Sequence, residues 1–331
     1  MKTVMVAGGA GYIGSHMVAE LHKKGYEIVV VDNLCTGHKD AVKFGRLYVG
    51  DVRDGDFLDR VFTENQIDGV INFAAFSLVG ESCVDPLKYY KNNVEGAVSM
   101  LSAMRRHGVN KIVFSSTAAT YGEPEKQPIE EEDRTCPTNP YGETKLAIEK
   151  MLKWSDKAYG IKYAALRYFN AAGANNEVGI GEDHSPESHL IPIVLQVALG
   201  KRGHIGIFGD DYSTKDGTCV RDYIDVRDLA QAHLLALQYL ERENQSNIFN
   251  LGNGSGFSVQ EIIEVAREVT GHPIPAKIEQ RRAGDPSTLI ASNKKAVEIL
   301  GWKPQYSEPR AIIEAAWNWH RTHPDGYGDR K

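Results

Sequence analysis

The chain has 331 residues, 42% of them hydrophobic and 25% charged, with a formal net charge of −6. That length allows one large domain or two smaller ones around a cleft. The acidic balance, with no basic cluster beyond the pairs Lys201-Arg202 and Arg281-Arg282, argues against nucleic acid as a partner.

The first apolar run, Thr3–Ala7, reads as a short strand and is too short for the core of a signal peptide. Helical spacing follows over Tyr12–Lys24, with Ile13, Met17, Val18 and Leu21 on one side, and Gly25 ends it. Glu27–Val31 is the second strand, and its unbroken β-branched run is what a parallel sheet buried on both faces requires. Leu47–Gly50 and Gly69–Phe73 read as strands around a helix near Asp56–Glu64. A long helix is expected from about Leu87 to His107, then a strand over Lys111–Ser115. Asn139 caps a helix over Pro140–Tyr159, with proline at its first position, and Tyr163–Tyr168 is the sixth strand.

This alternation predicts an α/β fold, a Rossmann-type doubly wound parallel sheet over residues 1–170. From Ala171 to Ser188 the periodicity is lost and Gly, Asn and acidic residues accumulate. Residues 171–331 are expected to form mainly a smaller mixed α/β substrate domain, with a segment near 220–250 returning a strand to the main sheet around Asn247–Asn250. No stretch approaches about 18 apolar residues, so no membrane span is expected. Cys35, Cys83, Cys136 and Cys219 match neither a zinc spacing nor a disulfide framework, which fits reduced thiols in a cytoplasmic protein without a metal centre.

Gly8, Gly11 and Gly14 fall between the first strand and the first helix. Glycines there permit a tight turn and close backbone approach, and the helix N-terminus attracts a pyrophosphate. Asp32 ends the second strand 18 residues after Gly14, where a carboxylate can accept from an adenosine ribose. Asn33-Leu34-Cys35 follow, with no Arg for a 2′-phosphate, so NAD is expected rather than its phosphorylated form. Asp51 and Val52, after the third strand, border the adenine.

Tyr141 and Lys145 stand four apart and share one helix face. Using a phenol as acid and base near neutrality means lowering a pKa of about 10 by roughly 3, or about 4 kcal/mol. A cation about 4 Å away supplies a similar amount at an effective dielectric near 20. Lys145 and a positive nicotinamide are therefore expected to ionise Tyr141. Thr117, just past the Lys111–Ser115 strand, is placed to bond the same substrate oxygen, since ligands of open α/β sheets bind at such carboxyl ends.

With these features in place, the sequence resembles the extended short-chain dehydrogenase/reductases, and among them the UDP-sugar 4-epimerases. The resemblance runs nearly end to end. It includes Gly8–Gly14, Asp32–Leu34, Gly50–Val52, Val79–Ser82, Tyr89–Asn93, Tyr141–Lys145, Leu166–Asn170, Val220–Ile224 and Arg281–Asp285. It implies interconversion of UDP-glucose and UDP-galactose by transient oxidation at sugar C4. Tyr141 would take the 4-hydroxyl proton, NAD the hydride, and the 4-keto sugar would turn over before hydride returns. It implies a cofactor site of Gly8, Gly11, Tyr12, Ile13, Gly14, Asp32, Asn33, Asp51, Val52, Phe73, Ala74, Ala75, Ser77, Asn92, Ser115, Tyr141, Lys145 and Tyr168. Thr117, Tyr141, Phe169, Asn170, His189, Leu190, Arg221, Tyr223, Arg282, Asp285 and Leu289 would hold the UDP-sugar. A homodimer through helices 87–107 and 140–159 is implied as well.

The chain departs from some relatives at three positions. Ser77 stands where they carry Lys, Thr117 where they carry Ser, and His189 where they carry Asn. Thr117 keeps the hydroxyl. His189 either gives the phosphate or sugar a pH-sensitive contact or is a structural histidine before a helix. Where relatives restricted to glucose and galactose carry Tyr, Leu289 is smaller, which predicts some turnover of UDP-N-acetylglucosamine and UDP-N-acetylgalactosamine unless Leu289 only packs the core. A 4,6-dehydratase of the same fold needs an acid pair beside the hydroxyl residue, and Thr117 is followed by Ala118-Ala119-Thr120. A scaffold that had lost catalysis would be expected to lack Tyr141 or Lys145.

Overall fold

The structure, a computed structural model, describes residues 1–282 and 285–329; Ala283 and Gly284, inside the Arg281–Asp285 segment, and Arg330 and Lys331 lie outside the described residues. In chain order the first half runs β1 (Thr3–Ala7), α1 (Tyr12–Lys23), β2 (Glu27–Asp32), β3 (Arg46–Val49), α2 (Gly55–Glu64), β4 (Gly69–Asn72), α3 (Val79–Val84), α4 (Pro86–Tyr89), α5 (Glu95–Arg106), β5 (Lys111–Ser115), α6 (Pro140–Tyr159) and β6 (Lys162–Tyr168). The expected helix from Leu87 to His107 is interrupted by a π turn at Tyr90–Val94, between α4 and α5. One extra residue per turn is a feature that functional sites often use. Here it accompanies Asn92 facing the cleft and Asn93 turned inward, where Asn93 Oδ1 accepts from the amide of Phe76 at 2.8 Å. The six-residue α3 carries too little periodicity to be read from sequence.

The second half contributes β7 (Asn170–Ala172), α7 (Leu190–Ala198), β8 (Ile205–Phe208), β9 (Val220–Arg221), β10 (Tyr223–Asp225), α8 (Val226–Glu243), β11 (Asn247–Leu251), β12 (Phe257–Ser258), α9 (Val259–Thr270), β13 (Ala276–Glu279), β14 (Thr288–Leu289) and α10 (Pro309–Thr322). Seven strands form one sheet in the order β11-β6-β5-β4-β1-β2-β3. All of its pairings are parallel, including the returning strand β11, which registers Asn247 against Ala164 and Leu251 against Tyr168. The order reverses beside β1, which opens a crevice at the carboxyl ends of β1 and β4, the ligand position of such sheets.

Side chains alternate off the sheet, and each face has its own core. Val4, Val6, Val30 and Ile71 pack under α1 and α8 with Leu234, Leu237 and Phe249. Met5, Val29, Val31, Val70 and Phe114 pack under α2, α5 and α6 with Phe57, Leu101 and Leu152. A third core joins Ile191, Leu195, Ile207, Ile262 and Ile313 from α7, β8, α9 and α10. The segment after β14 also reaches the first core. Trp302 is fully buried there, and its indole N–H donates to Asp228 O at 3.1 Å.

Candidate active site

The carboxyl ends of β1, β2, β4 and β5 meet the second half of the chain across a cleft of about 790 Å³. Its floor is the glycine turn. Gly8 has φ +75°, and a Cβ there would lie 2.7 Å from Ala74 N, so only glycine lets the turn pass under β4. A Cβ on Gly14 would stand 2.1 Å from Gly8 O, so the helix can start this close to the turn only without a side chain. The result is a shallow backbone cradle at the N-terminus of α1, the shape and polarity that a dinucleotide pyrophosphate fits.

Asp32 holds the adjoining turns. Its carboxylate accepts from the amides of Ala10 at 2.9 Å and Leu34 at 2.8 Å. Burial raises its pKa while these bonds oppose the rise. Asp51 sits beside it but is engaged: Arg53 holds it at 2.6 Å and lowers its pKa to about 2. The guanidinium of Arg53 therefore answers Asp51 in this structure. Tyr12 closes the other side, its hydroxyl donating to Gly173 O at 2.7 Å.

The Tyr–Lys corner is built by three elements. The Asn139 side chain accepts from Gly142 N and caps α6, so Tyr141 and Lys145 occupy its first two turns. A Cβ on Gly142 would meet Ala119 O at 2.6 Å, so glycine brings the helix against the turn that carries Thr117. The Thr117 hydroxyl bonds the Tyr141 phenol. Lys145 is buried, donates to Ser115 O at 2.7 Å and lies 5.9 Å from the Tyr141 ring centre. Ser115 Oγ and the Tyr168 hydroxyl meet at 2.5 Å.

The electrostatics of the chain alone supply only part of what the Tyr141 chemistry needs. Burial raises the Tyr141 pKa, with the Thr117 bond opposing it. Burial also lowers Lys145 to about 7, against the charge of Glu149. Desolvation opposes both charges in the chain alone, so the expected ionisation of Tyr141 rests on the positive nicotinamide as well as on Lys145. An additional positive charge in the cleft is needed to draw the phenol down. Behind Lys145 lies a network that the sequence did not reveal. Glu149 is buried, paired with Arg167 at 2.5 Å, and accepts from Ser116 Oγ at 2.5 Å.

Of the residues expected to meet here, Gly8, Gly11, Tyr12, Ile13, Gly14, Asp32, Asn33, Val52, Phe73, Ala74, Ala75, Ser77, Asn92, Ser115, Thr117, Tyr141, Lys145, Tyr168, Phe169, Asn170, His189, Arg282 and Asp285 line the cleft. Asp51, Leu190, Arg221, Tyr223 and Leu289 stand behind it, each attached to a lining residue or its neighbour. Arg221 pairs with Asp285, Leu289 registers with Arg221, and Tyr223 with Asn170. Arg282 lies over the Phe208 ring at 3.9 Å. His189 faces two carboxylates. Burial works against its charge, but Glu182 and Glu187 outweigh that and raise its pKa. Glu182, His184 and Cys35, also in the lining, were not anticipated, since nothing in their local spacing separates them from solvent-exposed loop residues.

Comparison with known proteins agrees with this geometry. The model of the NAD dependent epimerase/dehydratase family matches residues 4–252. A relative from Halalkalibacterium halodurans, a UDP-glucose 4-epimerase, is 61% identical over 98% of this chain and 97% of its own. A crystal structure of a UDP-glucose 4-epimerase superposes with a TM-score of 0.97 at 57% identity, covering 98% of this chain and 99% of that one. That of the Bifidobacterium longum UDP-glucose 4-epimerase in complex with NAD+ and UDP is 40% identical with a TM-score of 0.92, covering 98% and 100%.

Proposed function

From the membership of this chain in the NAD dependent epimerase/dehydratase family, we propose that it interconverts UDP-glucose and UDP-galactose. The observation that carries the reading is the convergence of Thr117, Tyr141 and Lys145 on one wall of the cleft whose floor is the glycine cradle. NAD held on that cradle would supply the acceptor and donor of the C4 hydride. Tyr141 Oη takes the proton of the sugar 4-hydroxyl and later returns one to the oxygen on the opposite face. Thr117 Oγ holds the same oxygen in line. Lys145 Nζ, adding to the cofactor's positive charge, favours the ionised phenol that burial alone disfavours. Arg282 and the Arg221–Asp285 pair anchor the diphosphate and uridine, because a guanidinium fork suits paired phosphate oxygens. Anchoring at one end leaves the sugar free to turn over in the wider half.

Dehydration is disfavoured, since Ala118–Thr120 form a short turn with no carboxylate beside Thr117. Val84, Leu87, Val98, Trp154 and Tyr159 expose apolar surface on α3–α6, which supports a homodimer through those helices. A side activity on the N-acetylated UDP-sugars is proposed from the smaller size of Leu289 relative to a Tyr at that position, although Leu289 is half-buried and stands outside the cleft lining. No described helix is long and apolar enough to cross a membrane, and the reading places the enzyme in the cytoplasm.

The test is to incubate purified protein, without added NAD, with UDP-galactose and in parallel with UDP-N-acetylgalactosamine, and to record sedimentation of the same sample. UDP-glucose should accumulate, N-acetyl turnover should be slower, and the mass should be that of two chains. Stoichiometric release of reduced dinucleotide would make the protein a dehydrogenase instead.

A further inference from the structure

The loop Glu182–His189 presents two carboxylates and two imidazoles to one point beside the cleft. Glu182 Oε1 is 3.1 Å from His184 Nδ1 and 2.7 Å from His189 Nδ1. Glu187 reaches the same nitrogens at 3.8 Å and 3.3 Å. One donor atom from each residue falls within 4.8 Å of all the others. A tetrahedral ion with bonds of about 2.0–2.1 Å has ligand–ligand edges of roughly 3.3–3.4 Å. The four contacts straddle that value.

Burial makes the two carboxylates depend on a positive charge beside them, a need met by protonated His189 or by a metal ion that replaces its proton. The Glu182 and Glu187 side chains are only 3% and 5% exposed. Buried carboxylates are normally paired or coordinate a metal. His189 Nδ1 is sealed from solvent and has no aligned hydrogen bond, although Glu182 Oε1 is close. The loop is also braced from behind, as a preorganised site requires. The Tyr327 hydroxyl binds both Gly181 N and O at 3.1 Å, Trp319 Nε1 donates to Glu182 O at 3.2 Å, and His38 Nε2 meets Asp183 O at 2.9 Å.

We propose that Glu182, His184, Glu187 and His189 form a binding site for one divalent transition-metal ion of the zinc class. Two imidazole nitrogens and two carboxylate oxygens are a borderline donor set, which favours Zn²⁺ and Co²⁺ over Mg²⁺ or Ca²⁺, and the ion displaces the proton that the two carboxylates otherwise hold on His189. Bound there, the ion cancels two carboxylate charges in the wall of a cleft that also contains Arg282 and Asn170.

The probes are Co²⁺ and Zn²⁺ alone, added to chelator-stripped, dinucleotide-loaded full-length protein. Wild type should take up one Co²⁺ per chain, with the visible d–d bands of a tetrahedral N/O site, and Zn²⁺ should displace it and erase the bands. His184→Ala and Glu187→Gln should each weaken Zn²⁺ binding at least about 100-fold, since each removes a direct ligand. Glu187→Gln keeps an oxygen to accept from the amides of Ser188 and His189, so the local turn survives. Absence of tetrahedral bands from wild type overturns the proposal whether or not the variants fold. So does unchanged Zn²⁺ affinity in a variant whose circular dichroism matches wild type. None of these readouts depends on epimerase turnover.

Discussion

At the scale of single residues, the acid/base pair works against its surroundings. Tyr141→Phe keeps the ring and removes the proton-transfer oxygen, which typically costs about 10²–10⁴-fold in rate. Turnover should fall by that much while bound dinucleotide is retained, and near-native turnover would remove Tyr141 from the chemistry. Lys145 makes a pH-dependent prediction. Its pKa is about 7 in the fold against about 10.4 in an unfolded chain. Below about 7 both states carry the proton, and between about 7 and 10 only the unfolded chain does. The destabilisation from this buried amine therefore shrinks as pH rises through that window. Lys145→Met, measured by urea unfolding, should lose stability relative to the parent by roughly 1.4 kcal/mol per pH unit across it. A difference that stays flat contradicts a buried amine that sheds its proton. Tyr141, Lys145, Thr117 and the glycines were legible because their meaning lies in local spacing. The pairing of Glu149 with Arg167 and Ser116 depends on segments brought together only by folding, and that of Glu182 with His189 on the turn of a loop that has no periodicity.

At the scale of elements, glycines decide how closely helices approach the strand ends. Gly142→Ala would place a methyl 2.6 Å from Ala119 O and 3.0 Å from Pro137, at the point where α6 meets the Thr117 turn. The helix start must shift, carrying Tyr141 with it. A displacement near 1 Å can cost about 100-fold in rate, so kcat should fall by about that factor with dinucleotide content unchanged. Kinetics like the parent's would mean that the turn yields instead. The strands of the main sheet were readable because buried parallel strands are continuous apolar runs. The two-residue strands β9, β12 and β14 have no period to detect, and the π turn at Tyr90–Val94 leaves no distinct mark in an otherwise helical stretch.

At the scale of the whole molecule, the two halves are stitched by segments that cross between them. The return of a strand near Asn247–Asn250 was expected, and it forms as β11, whereas nothing local marks Trp302 as part of the first core. Its indole fills the space beside α8, while Asp228 accepts from Gln305 N at 2.9 Å and Tyr306 N at 2.8 Å. Trp302→Ala should lower the unfolding free energy by about 3–5 kcal/mol, the usual range for such a cavity. A loss well below that range would show that the segment is not integral to the core. The same stitching encloses one cleft in which a hydride can leave and return without the cofactor departing. UDP-galactose deuterated at sugar C4 tests that claim most directly. UDP-glucose formed by the purified protein should carry the deuterium at C4, with none in solvent and none in released dinucleotide. Product bearing hydrogen at C4, or label in free dinucleotide, would contradict it.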